Sequence, residues 1–125
     1  MTQSAAEGKG RLTTHVLDTA RGRPASGVRI ELYREDADGR RRLGEAATNA
    51  DGRCEAPLLS AAAFEAGCYE LVFHVGAYFR AQEIALPTPP FLDQVPVRFG
   101  MAEAGGHYHV PLLISPYGYS TYRGS

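Results

Sequence analysis

His107-Tyr108-His109-Val110-Pro111-Leu112-Leu113-Ile114-Ser115-Pro116-Tyr117-Gly118-Tyr119-Ser120-Thr121-Tyr122-Arg123-Gly124-Ser125 holds two histidines one strand period apart, then an apolar run, then an aromatic, cationic and hydroxyl-rich tail. The stretch reads as a strand, a turn, a second strand and a placed end. Successive side chains in a strand point to opposite faces. Tyr108, Val110, Leu112 and Ile114 therefore share one face, which is apolar throughout and belongs to the core. His107, His109, Pro111 and Leu113 share the other. Both histidines thus face away from the core, and the stretch reads as the floor of a site to which the remaining chain brings other residues.

Outward from this hairpin, period-two alternation dominates, with turn signals spaced roughly eight to twelve residues apart, the pattern of an all-β sandwich. A first strand over 11–17 ends at the Gly- and Pro-containing loop Asp18–Pro24. Val28, Ile30 and Leu32 share one face of a second strand, with Arg29, Glu31 and Tyr33 on the other. Asp36-Ala37-Asp38-Gly39 is a hairpin signal leading into a third strand near 41–48. The tight turn Asn49-Ala50-Asp51-Gly52 precedes a short strand Arg53–Ala56, stopped by Pro57. Ser60–Gly67 reads either as a helical turn, with Ser60 as N-cap and Gly67 as stop, or as a loop. Tyr69, Leu71, Phe73 and Val75 line the core face of the next strand. Gly76–Glu83 reads as a short helix crossing to the other sheet, and Pro87, Pro89 and Pro90 force an extended connector. In Phe91–Phe99, Val95, Val97 and Phe99 share a face, and Pro96 suggests an edge strand or an outward-facing kink. The sum is an eight-stranded β-sandwich with one short helix and Greek-key-like connections. It fills residues 10–125 as one domain, behind a disordered tail over 1–9.

Composition narrows the function. The chain of 125 residues is 44% hydrophobic and 22% charged, which is globular and long enough for a real core. A formal charge of −1 without a basic run argues against a nucleic-acid partner. Residues 1–10 are small and polar with no apolar run, so neither a signal peptide nor a membrane span is expected, and the expected compartment is the cytoplasm. In that compartment Cys54 and Cys68 are expected as reduced, buried thiols rather than a disulfide.

Four polar residues, His107, His109, His15 and Arg53, stand out against blander readings. Two same-face histidines suit zinc, but a third and fourth ligand are required, and no Cys/His cluster of standard spacing supplies them. No metal is expected. His15, between Thr14 and Val16 on the face of Thr13 and Leu17, reads by itself as a hydrogen-bonded histidine in a half-buried strand. Arg53 alone reads as one half of a weak surface salt bridge with Asp51 or Glu55.

Taken together the residues say more. Thr13-Thr14-His15-Val16-Leu17-Asp18, Asp51-Gly52-Arg53, His107–Leu113 and the closing Tyr122-Arg123-Gly124-Ser125 resemble the 5-hydroxyisourate hydrolases, the enzymes of the transthyretin family. The likeness covers nearly everything after residue 10, and the closing tetrapeptide is its most specific motif. It implies a transthyretin-like (prealbumin-like) fold in a homotetramer, with sites in a channel at the dimer–dimer interface. It further implies His15, Arg53, His109 and Ser125 as catalytic residues, with His15, Arg53, Tyr122, Arg123, Gly124 and Ser125 contacting a small ureide. The implied reaction opens 5-hydroxyisourate at a cyclic amide, in urate degradation, with no cofactor. Histidine suits activation of water, and a planar, permanently charged guanidinium suits the carbonyl oxygen. Either His15 or His109 fits the role of base. A transthyretin-like carrier of small aromatic ligands is the rival, and an Ig-like adhesion module a more distant one.

Overall fold

The computed structural model describes residues 10–124. The N-terminal tail over 1–9 and Ser125 lie outside the described residues. Among the described residues there are nine strands: β1 Arg11–Asp18, β2 Arg23–Pro24, β3 Arg29–Asp36, β4 Gly39–Ala47, β5 Leu59–Ser60, β6 Gly67–His74, β7 Gln94–Met101, β8 His107–Ser115 and β9 Gly118–Thr121. One helix, α1, spans Val75–Ala81, and a 3₁₀ turn covers Ala61–Ala63. None of the described helices is long and apolar enough to cross a membrane.

Two sheets form. One runs β2-β1-β8-β9, with β5 also on β1; the other runs β4-β3-β6-β7. The alternation predicted for the last hairpin is observed: Tyr108, Val110, Leu112 and Ile114 are buried, whereas His107 is exposed and His109 half-buried. Leu12 and Val16 of β1, Ile30 and Leu32 of β3, and Leu71 and Phe73 of β6 complete the layer between the sheets. Each such side chain contributes about 1.5–3 kcal/mol by leaving water.

Four expectations are corrected. Arg53–Ala56 is not a strand, and the two-residue strands β2 and β5 raise the count instead. The reason lies along the outer edge of β1: β5 pairs with Arg11 and Leu12, Arg53 bridges His15, and β2 pairs with Leu17 and Asp18. Three short pieces share one edge, so none grows long. The helix does not carry the chain to the other sheet; β6 and β7 are antiparallel neighbours and α1 is the bridge between them. The last strand before the hairpin starts at Gln94 rather than Phe91, and as expected from Pro96 it lies at a sheet edge. Both cysteines are free, but Cys68 is exposed and Cys54 only half-buried, because Cys68 lies on the outer face of β6.

The helix is pinned to the far sheet through its Tyr78 side chain and, at its C-cap Gln82, through Arg21 and Arg23. The Tyr78 hydroxyl donates to Asp18 Oδ2 at 2.7 Å, and the Arg21 backbone N–H donates to Oδ1 at 3.1 Å. Burial, and then the bonded carboxylate, push the Tyr78 pKa from 10 up to about 12. A group whose folded pKa is raised contributes stability that is complete below its unfolded pKa and lost as pH rises through the folded one. Urea midpoints measured between pH 10 and about 12 should therefore fall more steeply for the parent than for Tyr78→Phe. At neutral pH that variant should lose about 1–3 kcal/mol by leaving a buried carboxylate oxygen without its donor. Equal alkaline slopes would refute the pin.

Candidate active site

The site begins with the pairing of β1 and β8, which is parallel and sets Arg11 against His107, Thr13 against His109 and His15 against Pro111. Side chains in register on neighbouring strands point the same way. Thr13, His15, His107 and His109 therefore emerge together on the face away from the core. The Thr13 hydroxyl lies between the two β8 histidines, with Oγ1 2.8 Å from His109 Nδ1 and 3.1 Å from His107 Nε2. His15 Nε2 is 2.8 Å from the Asp51 carbonyl oxygen. A carbonyl only accepts, so in this bond Nε2 carries the proton.

Arg53 arrives by a different route. Asn49 Oδ1 accepts from the N–H groups of Asp51 at 2.9 Å and Arg53 at 3.2 Å, closing the turn. Gly52 then donates to the Asn49 carbonyl at 2.9 Å while its own carbonyl accepts from Val16 at 2.8 Å. Only glycine serves at position 52: φ is +78° and a Cβ would stand 2.4 Å from the Val16 oxygen. The turn is thus seated on the edge of β1, and the next residue, Arg53, bridges His15.

A cavity of about 370 Å³ opens there, lined by Arg11, Thr13, Arg53, Cys54, His107 and His109 among others. The expected salt bridge of Arg53 is not formed; Glu55 Oε2 accepts from Asn49 Nδ2 at 2.7 Å instead. Among the described residues the ion pairs join side chains of the other sheet and its flanks, such as Arg29–Glu45, Arg42–Glu31 and Arg40–Glu70. The second sheet neutralises itself, and in the cavity the Arg53 guanidinium has no ion-pair partner among the described residues and stands beside imidazoles. Burial, then the charge of Arg53, lowers the His109 pKa below the ordinary 6.5, with smaller effects from His107 and His15. His109 is consequently neutral at pH 7, and its Nε2 has no hydrogen-bond partner among the described residues. No group of three or more His, Cys, Asp or Glu side chains converges on a metal position among the described residues.

The tail divides. Gly124 N–H donates to the His109 carbonyl at 2.7 Å, and a Cβ there would fall 2.5 Å from His109 Cδ2. The β8–β9 ladder ends at Leu112 and Thr121 and resumes at His109 and Gly124 in the same offset. The gap lies opposite Pro111, which has no N–H to offer. Within the gap the Arg123 guanidinium stacks on the Tyr108 ring, 4.2 Å from its centroid, and Tyr122 is exposed. Tyr122 and Arg123 line a separate cavity of about 240 Å³ with Val97, Phe99 and Tyr108. Arg53 and His109 thus line one cavity, with His15 bridged to Arg53 and Gly124 to His109 along the backbone, whereas Tyr122 and Arg123 line the other. Ser125 lies outside the described residues.

The family model described as HIUase/Transthyretin family matches residues 12–124. The chain belongs to this family. Within the HIUase/Transthyretin family it is 68% identical over 122 residues to the 5-hydroxyisourate hydrolase of Mesorhizobium japonicum, covering 98% of this chain and 97% of that protein. The solved structure of Klebsiella pneumoniae 5-hydroxyisourate hydrolase matches with a TM-score of 0.76 at 38% identity, over 93% of this chain and 94% of the other. Transthyretin from Sparus aurata matches with a TM-score of 0.81 at 31% identity, over 91% and 96%. The transthyretin-like, all-β sandwich with one short helix is thereby the fold of this chain.

Thr13 and Asn49 were not singled out by the sequence. Thr13 shares the face of His15, which was visible, but its place between the histidines depends on the β1–β8 register. In an NMR titration His109 should titrate below 6.5. Arg53→Ala should raise its midpoint without restoring the ordinary value, because burial is the larger cause. An unmoved midpoint would exclude the guanidinium as its neighbour.

Proposed function

We propose that this chain hydrolyses 5-hydroxyisourate to 2-oxo-4-hydroxy-4-carboxy-5-ureidoimidazoline, a step of urate degradation, in the cytoplasm and without a cofactor. The observation that carries the reading is the meeting of the Arg53 guanidinium with an imidazole of lowered pKa, His109, in one cavity. His109 Nε2 takes a proton from water as it attacks the ring carbonyl, a contribution of about 10²–10⁴ in rate. Negative charge then gathers on the carbonyl oxygen, where Arg53 holds it. The protonated imidazole returns its proton to the leaving nitrogen. His15, with Nε2 committed to Asp51, offers Nδ1 to a substrate N–H. Tyr122 and Ser125 are assigned to holding substrate, and the stacking of Arg123 on Tyr108 anchors the segment between them. The assembly is a homotetramer whose subunits close the outward face of the β1–β8 sheet into a channel.

The decisive measurement generates 5-hydroxyisourate with urate oxidase and follows its ultraviolet decay. The parent should accelerate decay. Arg53→Ala and His109→Asn should each lose about 10²–10⁴ of the rate at an unchanged melting temperature. Rate should fall as pH drops through the lowered His109 pKa, so the acid limb lies below 6.5. A chelator should change nothing. Binding of the ureide without acceleration would give the protein to the carriers instead.

A further inference from the structure

The mechanism so far leaves His107 and Thr13 unused, yet they are joined to the base in a single line. His107 is exposed, His109 is half-buried, and their ring centroids lie 6.4 Å apart with the Thr13 hydroxyl between them. A hydroxyl has one proton to donate. With that proton kept between the rings, Thr13 donates to one imidazole and accepts from the other, and two arrangements do this. In the first, His109 Nδ1–H donates to Thr13 and Thr13 donates to His107 Nε2, so His109 Nε2 is a bare lone pair facing the cavity. In the second, His107 Nε2–H donates to Thr13 and Thr13 donates to His109 Nδ1, so His109 Nε2 carries the proton.

We propose that Thr13 and His107 form a proton relay that exchanges the two arrangements, so that His109 acts first as base and then as acid without holding a net charge. The inference rests on the assignment of His109 as the base. As Nε2 takes the proton of the attacking water, the Nδ1–H bond breaks toward Thr13 Oγ1 and the Thr13 O–H bond breaks toward His107 Nε2. One proton has entered and the positive charge sits on His107. When Nε2–H protonates the leaving nitrogen, the Thr13 proton returns to His109 Nδ1 and the His107 Nε2 proton returns to Thr13. Atoms and charge balance, and no other reactant is consumed.

The electrostatics favour such a device. A cation on His109 would stand half-buried beside the Arg53 guanidinium, which costs free energy; on His107 it stands in water. The other charged groups around the line are Arg11 and Glu55 in the same cavity, His15 on β1, and Arg123, whose Nη2 reaches the His107 carbonyl at 3.4 Å. None of these interrupts the Thr13 bridge.

The relay makes a claim that needs no substrate. Protonating His107 places its Nε2–H on Thr13, and in the relay Thr13 then donates to His109 Nδ1. In ¹⁵N–¹H spectra of histidine-labelled protein, titration of His107 should switch His109 from its Nδ1–H to its Nε2–H form. Thr13→Val should abolish the coupling and Thr13→Ser should keep it. In turnover, Thr13→Val should lower kcat about tenfold or more at constant KM, with Thr13→Ser close to the parent, because general acid–base transfer alone is lost. His107→Ala should regain rate as free imidazole is added. A His109 tautomer indifferent to His107, or a full kcat in Thr13→Val, would overturn the relay. If the parent fails to accelerate decay of 5-hydroxyisourate, the proposed reaction falls, while the spectra still decide whether the two imidazoles are linked. Lost coupling in an active parent sinks the relay alone.

Discussion

Backbone hydrogen bonding between β1 and β8 is the constraint on which the remaining structure depends. It is the one parallel pairing among the described strands. On one side it matches Leu12 with Tyr108, Thr14 with Val110 and Val16 with Leu112, all buried. On the other it matches Thr13 with His109 and Arg11 with His107. A slip of one residue in either strand would turn its histidines toward the core and its buried residues, such as Leu12 and Val16 or Val110 and Leu112, toward water. Core and site are two faces of one register, and the apolar face enforces the polar one. The buried Thr14 hydroxyl, donating to the Val110 carbonyl at 2.7 Å, adds a polar fastening inside the same pair.

The two sheets use charge in opposite ways. On β3, β4, β6 and β7 arginines and glutamates face each other and settle their charges locally. Exposed pairs of this kind contribute little stability but leave nothing for a ligand. Around β1 the acidic side chains bond elsewhere: Glu55 accepts from Asn49, and Asp18, on the buried face, accepts from Tyr78. Among the described residues Arg53 has no ion-pair partner, and its charge is the second cause, after burial, that lowers the His109 pKa. A group able to bind developing negative charge and a group able to take a proton are therefore products of the same arrangement.

The strands, the inward faces and the outward direction of His107 and His109 were legible in the sequence, because alternation reports burial directly. Tyr69, Leu71, Phe73 and Val95 follow the same rule. Pairing was not legible. Nothing in a period of two says that β1 lies parallel to β8, and Thr13 becomes part of the site only through that neighbour. The failed strand at Arg53–Ala56 has the same origin: its alternation was real, but β5 and β2 already hold the adjoining edge of β1. The course of α1 was misread because a short helix gives no sign of which sheet it returns to. Motif resemblance gathered His15, Arg53 and His109 from distant segments, which spacing alone could not do. It also grouped Tyr122 and Arg123 with them, where the lack of an N–H at Pro111 lets the tail diverge.

The separation of β1 from its partner has a consequence for how the chain is made. Thr13 and His109 are 96 positions apart, so the strand synthesised among the first must wait for one synthesised among the last. During translation the β3–β4 hairpin and its β6 neighbour can pair as they emerge, while Leu12 and Val16 stay without a cover. Closing so long a loop is slow relative to local pairing. Ribosome-bound chains should consequently carry a formed second sheet and a bare apolar ribbon, a natural target for nascent-chain chaperones.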